Sequence, residues 1–163
     1  MNLHDLFRAL EQTSFATAIR EGSLLFPWIE SIHVLAIVTV VGSISIIDMR
    51  LLGVPAHKLG VRRLVREILP ITWVAFAIAV TTGFLLFSSA ALKYSAIWTF
   101  QAKILIIALA GLNMLFFHLV TFRSIHLWDE LMDTPLAAKI AGGSSLLLWM
   151  SVIVLGRWTG FLL

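Results

Sequence analysis

Apolar residues fill four long stretches of this chain, and polar residues collect in the joins between them. The stretches cover residues 26–47, 71–92, 100–120 and 144–163. Each approaches the roughly 20 apolar residues needed to cross a hydrocarbon core. Helices are the expected form, because an open backbone in lipid would leave its N–H and C=O groups unpaired. Ahead of the first stretch, Leu3, Leu6, Phe7 and Leu10 recur at helical spacing, with Arg8, Glu11 and Gln12 largely opposite. That pattern predicts an amphipathic interfacial helix within residues 1–24, lying on the membrane before the chain turns in at Phe26-Pro27. A surface anchor explains it more simply than a functional lid. The third stretch meets no breaker until Thr134-Pro135. Its helix is expected to continue through Phe122 to Asp133, with Thr134 as N-cap and Pro135 as first residue of the next helix. The third and fourth spans would then form a protruding hairpin. The fold class that follows is all-α: one integral-membrane four-helix bundle with an N-terminal interfacial helix.

Composition supports this reading. Hydrophobic residues make up 60% of the 163 and charged ones 13%, with a mean hydropathy of +0.97. Soluble domains carry about 45–50% and about 25% respectively. No polar stretch is long enough for a separate soluble domain. The chain has no cysteine, which excludes disulfides, zinc thiolates and thiol catalysis. Asp5, Glu11 and Glu21 interrupt any apolar region that a cleaved signal peptide would need.

The net charge of +3 points to topology rather than nucleic acid. Arg50, Lys58, Arg62, Arg63 and Arg66 surround the join between spans one and two, and Arg123 and Lys139 that between spans three and four. By the positive-inside rule these joins are cytoplasmic, and both termini are expected in the periplasm of a bacterial inner membrane. Trp28, Trp98 and Trp158 then sit at the outer interface.

Ionisable residues inside membrane helices are costly and mark function by default. Glu30 and His33 are three apart and share a face of span one, and Asp48 returns to that face about five turns later. Lys103 lies about one turn inside the outer end of span three, and Arg157 close to the outer end of span four. Glu30, His33, Lys103 and Arg157 therefore fall in one outer layer, with Tyr94, Trp98 and Gln101 at its rim. Snorkelling to headgroups accounts for Lys103 and Arg157 equally well. For His33 a ligand role outweighs a packed histidine, since imidazole is the commonest metal ligand.

An inner layer holds Asp48, Arg50, Asn113 and His118. On a continued helix three, His118, His126, Asp129 and Asp133 fit one stripe, which His57 could join as a metal site. A solvated helix face explains that stripe better, and Asp48 is expected to pair with the basic loop. His33 and His118 differ in depth by about 15 Å, so within one protomer they cannot ligate one haem from both sides.

The segments Trp28-Ile29-Glu30-Ser31-Ile32-His33-Val34-Leu35 and Asp48-Met49-Arg50-Leu51-Leu52-Gly53 resemble a family of small four-span bacterial inner-membrane proteins of unknown function. So do Pro70-Ile71-Thr72-Trp73, Thr82-Gly83-Phe84-Leu85-Leu86-Phe87, Phe100-Gln101-Ala102-Lys103 and Gly156-Arg157-Trp158. A histidine in span one with a lysine opening span three is also similar, more distantly, to haem-bearing membrane protoporphyrinogen oxidase and to copper-resistance D-like membrane domains. That likeness implies His33 as a haem or metal ligand and Lys103 as a second ligand or cofactor neighbour.

The expectation is a b-type haem in the outer half of the bundle, acting in electron transfer or redox chemistry, with quinone or a redox protein as partner. His33 would be the axial ligand and Glu30 a neighbour. Lys103 is either the opposite ligand or, with Arg157, a partner of the propionates. Gly83 and Gly111 could give a macrocycle room, though glycine as helix packing is the simpler account. Two alternatives are a copper or small-solute handling subunit, with His33 and Glu30 as ligands, and a structural subunit of a larger complex. Met49, Met114, Met132 and Met150 do not cluster as a copper(I) path wants. Four spans bury few faces, so a homo-oligomer is expected.

Overall fold

The structure, a computed structural model, describes residues 2–54, 60–129 and 134–163. His57, Lys58, Met132 and Asp133, named above, lie outside them. Among the described residues there are seven α-helices and no strand. Helices α1 (Leu3–Glu11) and α2 (Ser14–Glu21) precede α3 (Leu25–Leu51), α4 (Val61–Ser89), the short α5 (Ala91–Ala96), α6 (Trp98–Phe116) and α7 (Leu136–Leu162). Four helices are long and apolar enough to cross a membrane, counting α6 with its continuation to Leu127. Their outward side chains are apolar, with Leu35 67% and Leu147 72% exposed. So much bare hydrocarbon suits lipid and would drive association in water.

Helix α3 packs on α4 and on α7, and α7 packs on α6. Short polar links join these helices. His33 Nδ1 lies 2.9 Å from Thr82 Oγ1, and Ser43 Oγ lies 2.8 Å from Thr72 Oγ1, both between α3 and α4. Between α6 and α7, the buried Thr99 and Thr159 hydroxyls meet at 2.8 Å, and Asn113 Nδ2 donates to the Ala141 carbonyl at 2.9 Å. Each such link contributes about 0.6 kcal/mol in a membrane interior. At one end lie both termini and the α4–α6 connection, here the termini end. The other, the basic end, exposes Arg62, Arg63, Arg66 and Arg123.

The N-terminal segment is two helices, not one, broken at Gln12-Thr13, and it is docked rather than merely laid on a surface. Ala16 and Ile19 are buried. Phe7 meets the Phe87 ring edge-on at 5.5 Å, and the Glu11 carboxylate accepts from the Leu92 N–H at 2.8 Å. That N–H belongs to the first turn of α5, where helix donors have no partner of their own.

The basic end departs most from expectation. Helix α6 does not protrude. It passes through a π-helical turn, Phe117–Thr121, and a 3₁₀ turn, Phe122–Leu127, and then folds back. Phe122, Ile125 and Trp128 recur every third residue, the 3₁₀ period, so one face carries all three. Ile125 and Trp128 are buried among Leu51, Val61, Leu64 and Ala138, with Phe122 packed alongside. A protruding helix would have left those three in water. Thr134 is not an N-cap: its hydroxyl donates to the Leu51 carbonyl at 2.7 Å, and Pro135 takes the cap position. Asp129 is half-buried, and its Oδ1 accepts from Arg62 N at 2.9 Å, which satisfies the start of α4. That helix begins at Val61 and runs through Pro70, so it extends beyond the span the apolar run predicts.

Candidate functional site

At the termini end, three of the four expected groups share one neighbourhood. Lys103 and Glu30 both lie close enough to His33 to act on it electrostatically. Lys103 also reaches α7, its Cδ 3.8 Å from where a Cβ on Gly156 would sit, and its Nζ is 4.9 Å from the centre of the Phe100 ring. Arg157 is exposed and turns to its own helix instead, 4.5 Å over the Phe161 ring. The close ion pairs among the described residues are Arg20–Glu21 and Arg63–Glu67, both outside this layer. Among the rim residues, Gln101 donates to the Ser95 carbonyl at 2.8 Å, and Trp98 is exposed. Tyr94 joins Phe87 and Phe100 in an aromatic group. Its phenol is pushed above its ordinary value of 10.0 by burial and, secondly, by the negative charge of Glu30.

His33 has a defined tautomer. The Thr82 hydroxyl donates to the Ile78 carbonyl at 2.7 Å, so Nδ1 carries the proton and Thr82 accepts it. The lone pair is then on Nε2. The ring packs against α4 where a Cβ on Gly83 would come within 3.0 Å of Cε1, so Gly83 makes room for the imidazole itself.

A second region of interest lies in the half of the bundle nearer the basic end. A cavity of about 190 Å³ is lined by all four long helices. Its polar lining is Asp48 on α3, Thr72 on α4, Asn113 on α6, His118 on the α6 continuation, and Ser145 on α7. Trp73, Phe76 and Trp149 supply aromatic walls, and Val40, Ile44 and Leu69 are among the aliphatic ones. Asp48 is only 4% exposed, and its Oδ2 has no hydrogen-bond partner among the described residues. Ser145 is the polar side chain facing the carboxylate. Of the basic residues expected to pair with it, Arg50 donates to the Asp129 carbonyl at 3.2 Å, and Lys58 lies outside the described residues.

His118 sits in the π-helical turn, a local widening that often accompanies function. Its Nδ1 is 2.9 Å from the Met114 carbonyl, which can only accept, so Nε2 again holds the lone pair. His33 and His118 occupy different levels, as their depths along the helices require. No group of three or more His, Cys, Asp or Glu gathers as a metal site among the described residues. Sequence reasoning placed His118 on a solvated helix face and paired Asp48 with the basic loop. Asp48 and His118 were visible as polar residues in apolar runs, but only the irregular end of α6 turns them to one interior.

Residues 7–162 match a family of unknown function, DUF6644. The chain belongs to that family. No curated protein and no solved structure matches the chain. Membership in DUF6644 covers both levels of the bundle, from Glu30 and His33 through Asp48 and His118 to Arg157, and assigns a role to none of them.

Proposed function

We propose that this protein is a small-solute handling membrane subunit, which takes a small and largely apolar molecule into the interior of its four-helix bundle. One observation carries the reading: a cavity with apolar and aromatic walls meets a buried carboxylate whose Oδ2 lacks a partner among the described residues. Pockets of this kind use apolar walls for affinity and a few polar groups for orientation. A buried polar atom without a partner costs about 1–3 kcal/mol, which a ligand donor would recover. Bromobenzene, a heavy-atom quencher with a flat apolar body, tests the cavity. Saturable quenching is expected that shrinks in Trp149→Phe, which leaves Trp73 as the cavity's other indole, and that weakens in Gly111→Leu. Gly111 lines the cavity, and a Cβ there meets nothing within 4 Å, so a leucine has room to start toward the opening. Quenching that rises without saturation, equally in both variants, would sink the reading.

A second reading attaches to His33, favoured by its oriented lone pair. A metal-ligating histidine commonly donates its other ring N–H to a fixed acceptor, as Nδ1 does to Thr82. The likeness to haem-bearing protoporphyrinogen oxidase supports b-type haem there, copper being the alternative. His33 would be the axial ligand, with Lys103 and Arg157 available to propionates. The space beside Gly83 is taken by the imidazole, so no slot for a macrocycle is read from that glycine. A haem at this level would supply one-electron chemistry, with quinone or a redox protein as partner. Purified protein with a Soret band that His33→Ala abolishes is the expected result, and colourless protein would remove it. The cationic basic end supports a cytoplasmic placement in a bacterial inner membrane, with both termini periplasmic. Largely exposed helix faces support a homo-oligomer.

A further inference from the structure

Among the described residues, no lysine or arginine lines the cavity beside the Asp48 carboxylate. On α4 and α7 it is faced by Thr72, Ser145 and apolar side chains, and on α6 the titratable group at the cavity is His118. On its own helix Arg50 is engaged with Asp129. An ionised carboxylate in an apolar site requires a proton on it or a cation against it. A hard inorganic cation wants about six oxygen ligands or more, which this lining does not supply. The walls favour a different kind of cation. Phe76 stands edge-to-face with both Trp73, at 5.9 Å and 85°, and Trp149, at 6.5 Å and 86°. All three rings line the cavity, and aromatic rings, indoles above all, attract cations. The other acceptor is the Nε2 lone pair of His118.

We infer that the cavity is a site for a small organic cation, an ammonium group on an apolar or aromatic body, and that this cation exchanges with a proton at Asp48. The inference rests on the interior being a binding cavity, as proposed above. Charge balances one for one. When the cation enters, the carboxyl proton leaves to solvent and the ammonium takes its place beside the carboxylate. When the cation leaves, a proton returns.

The test uses the full chain in detergent and a quaternary probe, phenethyltrimethylammonium, whose charge does not change with pH. Its uncharged carbon isostere, (3,3-dimethylbutyl)benzene, is the comparison. Binding is read by tryptophan fluorescence, and proton release by a dye in weakly buffered solution. The cation should bind saturably and release about one proton each, with affinity rising up to about tenfold per pH unit while Asp48 is protonated. Asp48→Asn should weaken the cation at least about tenfold, to the level of the isostere. Asp48→Glu should keep the proton release, which guards against a mere folding defect. Equal binding of cation and isostere, unchanged in Asp48→Asn, overturns the cation site but leaves the cavity reading standing. Cation binding without proton release overturns the exchange. Saturable binding of neither probe removes both readings.

Discussion

Gly142 is where α7 packs against the backbone of Asp48 on α3, and adding one carbon there has a calculable effect. A Cβ at this position would stand 3.0 Å from the Asp48 carbonyl oxygen, 3.0 Å from Leu51 Cβ and 3.5 Å from Asp48 Cα. Carbon pairs rest at roughly 3.5–4.0 Å, so α3 and α7 would have to part by about 0.5 Å. Two of the three obstructing atoms are backbone and the third is a Cβ, so no flexible side chain can yield. Overpacking of this kind costs about 1–3 kcal/mol. Alanine also recovers up to about 1 kcal/mol of helix propensity over glycine, which would blur a single measurement. Gly42→Ala supplies the control, because a Cβ there meets nothing within 4 Å. The propensity gain is common to both variants, so their difference isolates the clash. Thermal unfolding in one detergent should place Gly142→Ala below Gly42→Ala by about 2–12 °C, taking about 2–4 °C per kcal/mol at this size. Displacement of Asp48 should also weaken any ligand of the cavity. If the two variants melt together, α3 and α7 do not approach as closely as the structure has them.

Other consequences follow from individual contacts. Thr82→Val removes the acceptor of the His33 N–H, and should cost about 1–3 kcal/mol in unfolding while shifting the imidazole nitrogen resonances away from a single tautomer. Asp129→Ala removes the acceptor for the Arg62 N–H and should cost about 1 kcal/mol, seen as faster hydrogen exchange in the first turn of α4. Glu11→Ala frees the Leu92 N–H and should speed tryptic cleavage at Arg20 several-fold, with unchanged cleavage showing that the tail is held otherwise. The Tyr94 phenol should ionise above the ordinary value near 10.0 in ultraviolet titration, because burial and the Glu30 charge both favour the neutral form. Glu30→Gln should bring it part of the way back.

Much of the termini-end layer could be read from spacing alone. Glu30, His33 and Lys103 are held by regular helices, and regular helices convert residue number into depth and face by a constant rise and turn. Arg157 escaped this logic because its long side chain has a choice of partner, and it chose Phe161. The basic end was misread for a related reason. Constant rise fails once α6 becomes π-helical and then 3₁₀, and the stripe of His118, His126 and Asp129 dissolves with it.

From its residues alone, the chain could announce a membrane bundle, because transfer of apolar side chains from water depends on composition and length and hardly on partners. Four spans, an amphipathic lead and the rough depth of each ionisable group follow from that local physics. Which of those groups face one another is a matter of how helices rotate and pack, and it is decided by contacts between residues far apart in the chain. Gly142 against Asp48, Gly83 against His33 and the burial of Trp128 against Val61 are such contacts. They set the rotation of α3 and α7 and fold α6 back, and so leave a buried carboxylate beside an interior space.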